Sequence, residues 1–174
     1  MGYGGQVTNH GYEESGPSIS EGPFYFMKVY LIRHAHAEPA GEGSDGARAL
    51  TERGRREAEE TGRALRERGE TIRVVLSSPL LRARETAERI ASAFDPAPAI
   101  ETQAALACGA TPQLILETVR ARPAGEIALV GHMPDLGIFV GAVAGESMSF
   151  RPSSICCVEL EADSARVLWV RHPE

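Results

Sequence analysis

Apolar residues in this 174-residue chain fall into two kinds of run, and the two alternate. The first kind is short and unbroken: Lys28-Val-Tyr-Leu-Ile-Arg33, Arg73-Val-Val-Leu-Ser77 and Ile127-Ala-Leu-Val-Gly131. β-Branched and aromatic residues without polar alternation fit strands buried on both faces. Two later runs, Ile155 to Leu160 and Arg166 to Val170, flank a short polar stretch and read as a terminal hairpin or neighbouring strands. The second kind has helical period. Thr51 can cap a helix that reaches Arg68, with Gly69 as its stop. Ala58, Thr61, Gly62 and Leu65 follow i, i+3, i+4, i+7 on it, and Arg and Glu pairs cover the other faces. Ser78-Pro79 reads as an N-cap followed by proline at the first helical position, with Ala83, Ala87, Ile90, Ala91 and Phe94 as the buried stripe. Thr111-Pro112 opens a third helix toward Arg120, and a fourth begins near Pro134 and runs through Leu136, Phe139, Val140 and Val143.

Strands separated by helices predict an α/β domain with a mainly parallel, helix-covered sheet, and the length suits a single core. Residues 1–26 differ from the rest. They hold five glycines before residue 17 and no Lys or Arg, and they lack the basic and apolar regions of a signal peptide. They are expected to form a disordered leader or an upstream extension, with the functional domain over residues 27–174 and Met27 just ahead of the first strand. Three cysteines, Cys108, Cys156 and Cys157, are too few for a disulfide framework and point to reduced thiols in a cytoplasm. Cys156 and Cys157, adjacent in an apolar run, are expected to face opposite sides of the sheet. No apolar run approaches the ~18 residues of a membrane span. The net charge of −6, without a basic run or aromatic–basic interleaving, argues against a nucleic-acid partner. It does not exclude an anionic substrate, because the local field at a site outweighs net charge.

In such folds ligands bind beyond the carboxyl ends of the strands, so the residues that follow each strand carry the chemistry. Arg33-His34-Ala35-His36 follows the first, Ser77-Ser78-Pro79-Leu80-Leu81-Arg82 the second and Gly131-His132-Met133-Pro134 the third. Two arginines, two histidines and two helix N-termini thus gather at one edge. Guanidinium forks and helix N-termini both bind phosphate oxygens. Imidazoles beside them supply a nucleophile and a hydrogen-bond donor, which makes a phosphoryl-transfer constellation. A histidine nucleophile must attack through an unprotonated nitrogen. Arg33 and Arg82 nearby are expected to lower its pKa, and a backbone carbonyl or other acceptor to fix its tautomer.

The segments Leu31-Ile-Arg-His-Ala35, Leu50-Thr-Glu-Arg-Gly54, Ser78-Pro-Leu-Leu-Arg-Ala-Arg-Glu-Thr-Ala87 and Val130-Gly-His-Met-Pro134 resemble, in order and spacing, the motifs of the histidine phosphatase superfamily. That superfamily includes phosphoglycerate mutases and acid phosphatases, and the similarity is greatest to the small bacterial SixA-type protein-phosphohistidine phosphatases. The resemblance implies a phosphoglycerate-mutase-like three-layer αβα sandwich. It implies that His34 becomes phosphorylated, that Arg33 and Arg82 grip the phosphoryl oxygens, and that His132 donates to the same group. It adds Arg48, in Arg48-Ala-Leu-Thr51, as a further phosphate contact. The substrate it implies is phosphohistidine on a signalling or phosphocarrier protein, with no cofactor and no metal.

Other readings compete. His34 and His36 could form a metal pair if alternate strand residues point the same way, but no Asp directly follows the later strands to complete a metallohydrolase. A small phosphoester or sugar phosphate is the rival substrate, and a phosphate-binding interaction module without turnover is the non-enzymatic rival. The larger enzymes of the superfamily carry an insertion with a Glu that protonates the leaving group. Phe94 to Thr111 is short here, and Glu101, the carboxylate in its middle, does not match that acid; His36 and Glu38 are expected to shape the pocket rim, and Glu38 and Glu101 are the first candidates should a hidden acid exist.

Overall fold

The computed structural model of the protein describes residue 1 and residues 26–41 and 43–173. The leader expected over residues 1–26 lies outside them, apart from its two end residues. Six strands form one sheet: β1 (Met27–Arg33), β2 (Val74–Ser77), β3 (Ala99–Thr102), β4 (Gly125–Gly131), β5 (Ile155–Leu160) and β6 (Ala165–Arg171). Four helices intervene: α1 (Glu52–Glu67), α2 (Leu81–Ala91), α3 (Pro112–Arg120) and α4 (Asp135–Ala144). The strand order is β3-β2-β4-β1-β5-β6. β1 to β4 run parallel, and β5 and β6 close one edge as an antiparallel pair.

Strand alternation sorts the core into two layers. Val29 and Leu31 of β1 pack with Ile115 of α3 and Phe139 and Val140 of α4. Tyr30 and Ile32 face the other way, onto Leu65 of α1 and Ala83, Ala87 and Ile90 of α2. The result is the three-layer αβα sandwich. Cys156 and Cys157 divide between the two layers as expected, and both are fully buried. Among the described residues no helix is long and apolar enough to cross a membrane.

The structure departs from the sequence expectation in two places. β3 was not anticipated, because Ala99-Ile-Glu-Thr102 is an edge strand with no buried residue and so has no unbroken apolar run. α2 begins at Leu81, with Leu80 at its N-cap, rather than at Ser78-Pro79. Thr51 and Thr111 do cap α1 and α3, accepting from the N–H groups of Gly54 and Leu114. Gly54 has a second reason to be there: a Cβ at that position would stand 1.9 Å from the carbonyl oxygen of His36. Only glycine lets α1 approach the segment after β1 so closely.

Candidate active site

Parallel register brings the strand ends level. Arg33 pairs with Gly131, and Ser77 with Val130. Beyond the last pairs, the His34 N–H donates to Gly131 O at 3.0 Å and the Ser78 N–H to Val130 O at 2.9 Å. His34, Ser78 and His132 therefore sit side by side where β1, β2 and β4 end.

His34 is 9% exposed, and its two ring nitrogens have partners that settle the tautomer. Nδ1 lies 2.8 Å from the Ala35 carbonyl oxygen, which can only accept. Nε2 lies 3.3 Å from Nε of Arg82, which can only donate. Both contacts require the proton on Nδ1 and a bare lone pair on Nε2. Burial pushes the His34 pKa down to about 4, with smaller contributions from the charges of Arg82, Arg33 and Arg48. The ring is thus neutral near pH 7, and desolvation, rather than the arginine charges expected from the sequence, is the main cause.

Arg82 stands in the first turn of α2 and is 3% exposed. Its Nη1 donates to the Asp45 carbonyl oxygen at 2.8 Å and its Nη2 to Asp45 Oδ2 at 3.0 Å. Thr86, one turn along, donates its hydroxyl to Arg82 O at 2.7 Å and accepts the Ala35 N–H at 3.1 Å. The α2 turn that carries the arginine is thereby fastened to the residue after His34. Arg48 Nε forms an ion pair with Asp45 Oδ1 at 2.8 Å, and its Nη1 donates to Glu38 O at 3.0 Å. Arg33 Nη1 donates to Phe150 O at 2.7 Å, in the loop between α4 and β5. His132 is 3% exposed, its ring 5.1 Å from that of His34, and its Nε2 lies 2.7 Å from Ser78 Oγ. Burial holds its pKa at about 3, helped by the Arg82 charge and by the His34 ring once that is itself protonated. Arg33 Nε and His132 Nδ1 are buried with no hydrogen-bond partner among the described residues.

Arg33, His34, Arg48, Arg82 and His132 all line one cavity of about 270 Å³. His36 also lines it, but β1 has ended by then, so the alternation that would make a metal pair with His34 does not apply. His36 Nδ1 is bonded to Thr51 Oγ1 at 2.8 Å instead. Among the described residues no three His, Cys, Asp or Glu side chains are grouped to hold a metal ion. Neither candidate acid lines the cavity: Glu101 is ion-paired to Arg122 at 2.7 Å on β3, and the Glu38 side chain is outside the lining.

Two neighbours, Asp45 and Ser78, carry no site signal in the sequence, and a third, Cys108, offers there only a loop thiol without a partner. Asp45 sits in a glycine-rich loop with no periodicity to place it. Ser78 passed for a helix cap. Cys108, after α/β elements with no catalytic signature, lines the cavity with its Sγ 3.7 Å from Arg82 Nη2. The assembled site offers a neutral nucleophilic nitrogen, three guanidinium groups and a second buried imidazole. That set can bind and stabilise a phosphoryl group during in-line transfer.

Comparison with known proteins agrees with this geometry. Residues 29–107 match the histidine phosphatase superfamily, branch 1. An uncharacterized protein from Picosynechococcus sp. is 34% identical over 149 residues, covering 81% of this chain and 88% of that protein. A phosphohistidine phosphatase SixA homolog of Haemophilus influenzae is 28% identical over 156 residues, covering 82% and 93%. The solved structure of the protein histidine phosphatase SixA complexed with tungstate superposes with a TM-score of 0.78 at 26% identity, over 84% of this chain and 97% of that one. Motifs, topology and relatives converge, and the chain belongs to the histidine phosphatase superfamily.

Proposed function

We propose that the protein hydrolyses phosphohistidine through a covalent phosphohistidine intermediate on His34. The observation that carries this reading is the His34 ring itself: its proton is committed to Ala35 O, leaving the Nε2 lone pair at a cavity lined by Arg33, Arg48 and Arg82. In the first step that lone pair attacks phosphorus and the bond to the substrate nitrogen breaks. Its electron pair stays on the departing imidazole. In the second step water attacks the phosphorus, the pair of the P–Nε2 bond returns to His34, and the water proton leaves on inorganic phosphate. Arg33, Arg48 and Arg82 hold the equatorial oxygens, and His132 donates to them.

The choice of phosphohistidine over an alkyl phosphate rests on the leaving group. A serine alkoxide departs poorly without a proton donor. No Asp or Glu among the described residues lines the cavity. Asp45 is close by, but its bond to Arg82 pulls its pKa down and keeps it ionised. An imidazole protonated on its other nitrogen departs neutral and needs no such acid. The SixA relatives named above support the same substrate, and three free thiols support a reducing, cytoplasmic setting in which a signalling or phosphocarrier protein would present it.

The test is hydrolysis of phosphohistidine, phosphoserine and an aryl phosphate side by side. General-acid catalysis contributes about 10²–10⁴ in rate, so phosphohistidine should exceed phosphoserine in kcat/KM by about that factor. Comparable rates on the two would overturn the assignment. Binding of phosphate with no turnover on any of the three would favour an interaction module.

A further inference from the structure

We infer that Ser78 is a positioning residue that fixes His132 in the tautomer with its proton on Nδ1, the nitrogen left to meet the transferring phosphoryl group. The inference rests on the phosphoryl-transfer reading above and assigns a part to Ser78, the first residue of the segment that carries Arg82, to which that reading gives no role. Ser78 is fully buried, yet α2 starts three residues later with Leu80 at its N-cap, so helix capping does not explain the hydroxyl. Its Oγ accepts the Leu80 N–H at 3.3 Å and lies 2.7 Å from His132 Nε2.

Two proton arrangements fit that short contact, and counting partners separates them. If His132 carried its proton on Nε2, it would donate to Ser78 Oγ. The serine hydrogen would then have no acceptor among the described residues, and the unpartnered Nδ1 would be a bare lone pair. Two buried groups would go unsatisfied. If Ser78 donates to Nε2, the serine is satisfied on both sides and one group remains, an Nδ1–H. Buried polar groups overwhelmingly find partners, so the second arrangement is the stable one. It is also the useful one. A lone pair on Nδ1 would repel a phosphoryl oxygen, whereas an Nδ1–H donates to it. Because burial keeps the ring neutral, it has only one proton to place, and the placement decides whether His132 helps or hinders.

The two histidines are then a matched pair. Ala35 O holds the His34 proton on Nδ1 and frees Nε2 to attack; Ser78 bonds the His132 Nε2 and leaves Nδ1–H to donate. One ring needs a main-chain acceptor and the other a side-chain donor, because opposite nitrogens must face the substrate.

The test uses the full-length protein labelled with ¹⁵N-histidine, with a His132→Asn variant to assign the ring signals. In the wild type His132 should show a protonated Nδ1 and a bare Nε2 near pH 7, and inorganic phosphate should shift the Nδ1 signal. Ser78→Ala should move the proton toward Nε2 and lower kcat on an aryl phosphate by about 10-fold or more, toward the ~10²–10³ of a lost oxyanion donor. KM should change little, because the contact strengthens with the charge of the transition state. Ser78→Thr, which keeps the hydroxyl, should keep the wild-type tautomer. A wild-type His132 protonated on Nε2 would overturn the inference without recourse to any variant, as would unchanged kcat in folded Ser78→Ala. A wild-type protein that turns over no phosphate compound would instead strike the phosphatase reading, and the spectra alone would still decide the tautomer.

Discussion

Replacing Arg82 by alanine should separate catalysis from folding. The guanidinium is 3% exposed, its Nε–H points at His34 Nε2, the proposed nucleophile, from 3.3 Å, and the first turn of α2 holds it in place. The helix turn keeps this group at the site, and its donors pass from His34 Nε2 and Asp45 to the phosphoryl oxygens when substrate binds. Losing one preorganised contact of that kind costs about 2.7–4 kcal/mol of transition-state stabilisation, or ~10²–10³ in kcat. Arg48 provides the internal control. Its side chain is 25% exposed and follows the short 3₁₀ turn Asp45–Ala47, in which no residue is buried. Part of whatever Arg48 contributes is spent on ordering that loop, so Arg48→Ala should cost only about tenfold, or ~1.4 kcal/mol. Stability should move differently from rate. Removing Arg82 relieves a cavity that also holds the cations Arg33 and Arg48, and the Asp45 left behind is largely solvated, so the melting temperature should hold or rise. The rate profile against pH should keep its shape, because burial rather than Arg82 dominates the His34 shift. Steady-state hydrolysis of an aryl phosphate, with thermal melts of both variants, measures all of this. Equal, small losses in the two variants would refute the reasoning and assign phosphate binding to the helix N-termini.

Four further outcomes are expected. His34→Ala should abolish turnover with the fold intact, and rapid quench of the wild type should place acid-labile phosphate on His34; label on His132 would refute the assignment of nucleophile. With the His34 pKa near 4 and that of His132 near 3, kcat/KM should stay level as pH falls through 6.5. Stability should instead decline there: the unfolded histidines take up protons below about 6.5 while the folded ones resist, so stabilisation present above that pH is lost as pH drops toward 4. A rate that titrates near 6.5, or melting temperatures independent of pH across that window, would contradict the burial argument. Asp45→Asn should lower the inhibition constant for phosphate a few-fold, because the carboxylate engages Arg82 and Arg48 in competition with the anion; weaker inhibition would show that Asp45 serves chiefly to hold the arginines in place.

Much of this protein is determined locally and is therefore legible in the sequence. Val29 to Ile32, Val75 with Leu76, and Ile127 to Val130 are apolar because the strands are covered on both faces, and that requirement acts on consecutive residues. Thr51 and Thr111 read as caps because a cap reaches only three residues along its own chain. Arg33, His34, Arg82 and His132 could be gathered on paper because a parallel sheet puts all its carboxyl ends at one edge. Where a partner is distant in sequence, the chain gives no such signal. Edge strand β3 buries nothing and so carries no apolar pattern. Ser78 looks like a cap until His132, 54 residues away, is seen on its hydroxyl, and Asp45 looks like loop until Arg82 closes on it from 37 residues away. The His34 pKa follows the same division. Its neighbours in sequence include an arginine, but the larger effect is the low-dielectric surroundings that layers on both sides of the sheet create, and only the folded chain has those.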